Sequence, residues 1–135
     1  MALLINGEQF KSESSIATDD LVTVSGDFVS KVSGFATVNT VGADILGLAH
    51  TVKTFSATNE TVAMDRVVFA SANTGDIMRV EVVADATVTI ANEGQFFDIN
   101  TDGTVDVATA SATTGQLKMT EFVSTAASIY EIVNK

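Results

Sequence analysis

The sequence predicts an all-β fold, a single compact antiparallel β-sandwich or small β-barrel with at most one short helix. Three observations lead there. Val, Ile, Thr and Phe dominate the hydrophobic stretches, and their branched or aromatic side chains suit a pleated, half-buried surface. Several stretches alternate apolar and polar residues with the two-residue period of a strand. Clusters of Gly, Asn, Asp and Ser interrupt them about every ten residues, the spacing of small sandwiches and barrels.

Residues 1–15 are polar and charged apart from a brief apolar start, and read as an N-terminal arm or edge segment. Residues 16–135 read as one β domain, a common size for a single core. Residues 21–24 and 28–32 flank Ser25-Gly26-Asp27 and predict a hairpin. Strands follow at 35–38, 45–55 and 61–69. Thr40 to His50 is the best helical candidate, but Gly42 and Gly47 interrupt it and a strand entered through a turn fits as well. Residues 76–83 alternate cleanly, with Met78, Val80 and Val82 on one face and Arg79 and Glu81 on the other. Residues 87–91 repeat the pattern, with Val88 and Ile90 inward. Strands at 93–98, 104–108, 116–123 and 129–133 complete the set. No internal repeat is evident: Ser56-Ala-Thr-Asn and Ser111-Ala-Thr-Thr are alike, but both are turn sequences.

Seventeen acidic and seven basic residues give a net charge of -10. The basic residues are scattered singly, so the clustered Lys and Arg that bind phosphate backbones are missing, and no nucleic-acid partner is expected. The longest apolar run is far short of the ~20 residues of a membrane helix, so no membrane partner is expected either. With no Cys, thiol chemistry is excluded. With no Pro, the turns rest on residues that reach positive φ or bond their own backbone.

The sequence carries no recognisable catalytic machinery, and no enzyme is expected. Its one histidine, His50, lacks a Gly-x-Ser-x-Gly or Ser-x-x-Lys context and reads as a strand or loop-edge residue. Sugar-binding platforms favour exposed Trp and Tyr, and this chain has no Trp and one Tyr. One motif resembles a metal loop. Asp98, Asn100, Asp102, Thr104 and Asp106 stand at positions 1, 3, 5, 7 and 9 of a calcium-loop spacing, with Gly103 at position 6. Position 12, where a bidentate Glu belongs, is Thr109. A hairpin turn using Asp and Gly for its left-handed positions explains the same residues. Calcium is therefore the one candidate cofactor, with stiffening of the turn as its role.

Five stretches carry a family resemblance. They are Asp20-Leu-Val-Thr-Val-Ser-Gly-Asp-Phe-Val-Ser-Lys31, Ala43-Asp-Ile-Leu-Gly-Leu-Ala49, Asn92-Glu-Gly-Gln-Phe-Phe-Asp-Ile99, Thr113-Thr-Gly-Gln-Leu117 and Tyr130-Glu-Ile-Val-Asn134. In order and texture they resemble the capsid decoration (cement or auxiliary head) proteins of tailed bacteriophages. The resemblance implies a structural virion protein, made in the host cytoplasm. Such a protein binds the outer capsid surface and bridges major capsid subunits, as a homotrimer at threefold positions or singly at capsomer centres. It transfers no contact residue; the N-terminal segment is the expected reach toward the shell. The alternative is a receptor- or glycan-binding module of a phage fibre or bacterial surface adhesin.

Overall fold

The structure, a computed structural model, describes residues 2–4, 10–63, 65–73 and 76–133, with residues 3 and 4 as backbone alone. The described residues form three antiparallel sheets and no closed barrel. In chain order the strands are β1 (Ala2–Leu4), β2 (Phe10–Ile16), β3 (Val22–Thr23), β4 (Phe28–Val32), β5 (Phe35–Val38), β6 (Ile45–Ala49), β7 (Lys53–Thr54), β8 (Arg66–Ala72), β9 (Arg79–Val83), β10 (Phe96–Ile99), β11 (Val105–Ser111), β12 (Leu117–Glu121) and β13 (Ala127–Ile132). A one-turn helix, α1 (Asn59–Val62), and a 3-10 turn (Ile90–Asn92) complete them.

One sheet has the order β2-β8-β6-β4-β5. The larger has β1-β9-β13-β12-β10-β11, and β3 with β7 forms a separate ribbon. Without β1, the larger sheet repeats the smaller one strand for strand: β9, β10, β11, β12 and β13 stand where β2, β4, β5, β6 and β8 do. The registers repeat as well. Glu13 faces Phe69 as Val80 faces Tyr130. Ala49 pairs with Phe69 as Met119 pairs with Tyr130. Val29 faces Gly47 as Phe97 faces Leu117, and Lys31 faces Ala36 as Ile99 faces Val105. Each sheet then curls until a parallel bridge joins its two ends, Ala17 to Ala36 in one and Ala84 to Val105 in the other. Each bridge is followed by the same bond, Thr18 N–H to the Ala36 carbonyl at 2.9 Å and Asp85 N–H to that of Val105 at 3.0 Å.

Each unit has its own apolar centre, built from equivalent positions. Ala17, Val29, Ala36, Ala49 and Phe69 fill the first. Ala84, Phe97, Val105, Met119 and Tyr130 stand in the second, with larger side chains at most of the equivalent positions. Adjacent residues of β4 and β6 point to opposite faces. Val29 and Ala49 therefore enter the first centre, while Phe28 and Leu48, together with Ile45, are buried against the second. That outer face docks the units together. A buried amide ties them further: Gln116 accepts from Ile99 N–H at 3.1 Å and donates to the carbonyls of Thr40 at 3.0 Å and Ala43 at 2.6 Å.

Several sequence expectations need correction. Residues 21–32 are no hairpin. The turn at 25–27 does form, with the Asp27 carboxylate accepting from Val24 N–H at 2.8 Å. Gly26, at φ +89°, then sends its N–H to the Ala49 carbonyl, which draws β4 onto β6 and leaves β3 to pair with β7. The hairpin is instead β4–β5, turning at Ser33 and Gly34, both with positive φ. Residues 45–55 break into β6 and β7, and residues 61–69 begin in α1. That helix is pinned by buried Asn59, which donates to the carbonyls of Ala17 and Asp65. Residues 40–50 hold a turn and β6, not a helix. Residues 87–91 are no strand: the Asn92 side chain accepts from Thr89 N–H and starts the 3-10 turn, leaving Ile90 67% exposed although Val88 is buried.

The boundary at residues 15 and 16 falls inside β2. The N-terminal segment contributes an edge strand to each sheet, β1 beside β9 and β2 beside β8. Residues 1 and 5–9 of the expected arm lie outside the described residues.

Candidate functional site

The calcium-loop residues sit on the β10–β11 hairpin. Asp98 and Asp106 are cross-strand partners. The turn between them closes on itself, with Asn100 N–H donating to the Thr104 carbonyl and Gly103 N–H to that of Asn100. Asp102 accepts from the Thr104 hydroxyl at 2.6 Å and the Thr104 N–H at 3.0 Å. Those two bonds hold its carboxyl below the usual carboxylate range. Asn100 donates its amide to the Thr104 hydroxyl and to Asp85, whose other oxygen accepts from Val107 N–H. Asp106 accepts from Ala108 N–H. The carboxylates of Asp85, Asp102 and Asp106 are thus taken up by donors of the hairpin itself, while Asp98 contributes its backbone N–H to the Thr109 hydroxyl. Among the described residues no group of three or more His, Asp or Glu side chains is arranged to hold a metal ion. Asp85 was no part of the sequence motif; it stands one residue past the bridge, where the first unit has Thr18.

His50 is exposed at the end of β6, with Nε2 3.3 Å from the Ser12 hydroxyl of β2. Among the described residues that is its one side-chain hydrogen bond, so no acid stands behind the imidazole as a triad requires.

A different corner breaks the rules of a solvated surface. On the β3–β7 ribbon Thr23 is 2% exposed, its hydroxyl bonded to the Thr51 carbonyl at 2.9 Å. Its apolar neighbours Val22 and Val24 are 53% and 43% exposed, and Val52 is 72% exposed. Val22 pairs with Thr54 and Thr23 with Lys53, so the same register sets Val24 opposite Val52. The ribbon therefore buries its polar residue and shows its valines on one outward face. Read as one arm of a hairpin, residues 21–24 do not show which face the valines take. The inversion is visible only once β3 is known to pair with β7. An open groove of about 450 Å³ lies along the β4–β5 hairpin, lined by Val32, Ser33, Phe35 and Thr37 with Thr18, Thr40 and Glu60.

Among the described residues no helix is long and apolar enough to cross a membrane. No family model, curated protein or solved structure matches the chain.

Proposed function

We propose that this chain is a structural virion protein that binds the outside of a phage capsid and braces it by bridging major capsid subunits. One observation carries the reading. Four of the five stretches that resemble phage decoration proteins fall on two equivalent pairs of elements. Residues 24–31 and 92–99 form the same turn and strand in the two units. Gly26 and Gly94, at φ +89° and +84°, donate to the carbonyls of Ala49 and Met119. Residues 43–49 lead into and form β6, whose Ala49 accepts the first bond, and residues 113–117 lead into β12, whose Met119 accepts the second. The resemblance therefore rests on the framework of both units.

The physics of the role supports it. A coat protein held at high local density must not pair edge to edge with its neighbours. Here Ala36 of the edge strand β5 and Val105 at the start of the edge strand β11 are each engaged by a parallel bridge within the chain. An acidic surface with a net charge of -10 keeps a covered particle dispersed. The test is to count this chain against the major shell protein in purified particles by quantitative mass spectrometry. Copies in a simple ratio to the shell subunits are expected. Absence from the particle would sink the reading, and a dozen or fewer copies would move it to a fibre or tail part.

A further inference from the structure

We infer that the chain is a tandem of two copies of one β unit, and that the β3–β7 ribbon with α1, carried by the first copy alone, is the surface that docks on the shell. The second clause rests on the decoration reading; the first does not.

Duplication is carried by agreement at every level of the backbone. Strand order, four sets of register and both closing bridges coincide. So do bonds outside the ladders. Ala17 N–H donates to the Asp65 carbonyl as Ala84 N–H donates to that of Ala126. Asp27 N–H meets the Val24 carbonyl at 3.0 Å as Gln95 N–H meets that of Asn92 at 3.0 Å. Gly34 and Gly103, each two residues before its bridge residue, sit at φ +88° and +83°. Right-handed sterics make each such backbone value rare for other residues.

The copies differ most between the fourth and fifth strands of the unit. The second copy connects them with residues 122–126, whereas the first spends residues 50–65 and builds β7 and α1 there. That added element carries the inverted ribbon and also exposes Val62 at 54%. The addition buries Phe55 and Asn59 on its inner side and shows valines on its outer side, the side left for a partner.

Charge describes the partner. The one charged side chain on the ribbon, Lys53, is bonded to Asp65 at 2.9 Å, so the valine face is neutral within a strongly acidic molecule. Its margin is acidic: Asp19 accepts from Glu60 N–H, and Asp20 donates its own N–H to the Ser56 carbonyl beside β7. The occupant is therefore a protein surface with an apolar centre and a basic rim, here the outer face of a shell subunit.

The test uses the full chain and heads assembled without it, with binding read by co-sedimentation. Val22→Ser with Val52→Ser removes the apolar face at two exposed positions. It is expected to weaken binding about tenfold or more, while the fold, read by far-ultraviolet dichroism, is unchanged. Ile90→Ser alters an exposed residue at the corresponding place in the second copy and is expected to bind as the parent does. Parental binding by the ribbon variant, or an equal loss with Ile90→Ser, overturns the assignment. Failure of the unaltered chain to bind heads overturns the decoration reading itself and the docking assignment with it.

Discussion

Replacing Gln116 with Leu tests the bond between the two units most directly. The side chain is fully buried, and leucine nearly matches its volume, so the change removes hydrogen bonds rather than packing. Three groups lose a partner. The Ile99 N–H lies in a fully buried strand residue where water cannot replace the Gln116 oxygen. Leaving it unpaired costs about 1–3 kcal/mol. The carbonyls of Thr40 and Ala43 belong to half-buried residues and regain water more easily, adding about 1 kcal/mol together. The expected loss is about 2–4 kcal/mol, a large share of the 5–15 kcal/mol typical of a whole domain. With a urea slope of roughly 1.5–2 kcal/mol per molar for a chain of this size, the midpoint falls by roughly 1–2.7 M. The chain has one tyrosine and no tryptophan, so tyrosine emission reports the second core alone, while far-ultraviolet dichroism reports both units. A loss under about 0.5 kcal/mol would show that this amide does not join the units.

Two further predictions concern single positions. Gly34→Ala and Gly103→Ala both place a side chain at positive φ, which costs about 1–2 kcal/mol each. An alanine at 103 would also meet the Asn39 side chain at 3.1 Å, which is held by Phe28 N–H and Asp27. Position 34 has open space, so the 103 variant is expected to be the less stable in thermal unfolding, and the reverse order would refute the placement of that turn. Tyr130 is buried with its hydroxyl unpartnered among the described residues, and burial pushes its pKa from 10 up to about 12. The unfolded chain then loses this proton before the folded one does. Stability is untouched below pH 10 and falls between pH 10 and 12. Tyr130→Phe is expected to keep or slightly raise stability at pH 7 and to remove the part of the alkaline loss due to this residue. An unchanged alkaline profile in urea titrations would refute the assignment.

The strands were legible where one face meets water and the other meets core. Residues 79–83 show it: Val80 and Val82 are fully buried, Arg79 is exposed and Glu81 half-buried, as alternation requires. The same rule failed at residues 87–91, where an Asn three residues past a Thr outweighed a short β-like pattern. It failed again at 21–32. Local turn chemistry was read correctly there, but the Gly26 N–H, bonded to Ala49, decided which strand β4 joins. Strand partnership depends on bonds between residues far apart in the chain, and a window of neighbouring residues does not contain them.

The repeat stayed hidden for a related reason. What the copies share is backbone geometry: glycines at positive φ, closing bridges and strand registers. What they do not share is side-chain size, because each centre is filled differently, with Val29 against Phe97, Ala36 against Val105 and Ala49 against Met119. Even the outer face has diverged. Phe28 and Leu48 are buried between the units, while their counterparts Phe96 and Lys118 remain half-exposed, the ammonium 5.6 Å from the ring centre. A unit whose outer face is covered keeps leucine there, and a unit whose outer face meets water takes lysine, whose stem covers the ring and whose charge stays wet. The same logic reads the ribbon in the opposite direction. Val22 has an exposed apolar counterpart in Ile90, Val24 has the polar Asn92, and Val52 lies in the segment that the first unit alone carries. What the first unit adds is therefore a cluster of outward valines, the form of apolar exposure that marks a partner surface.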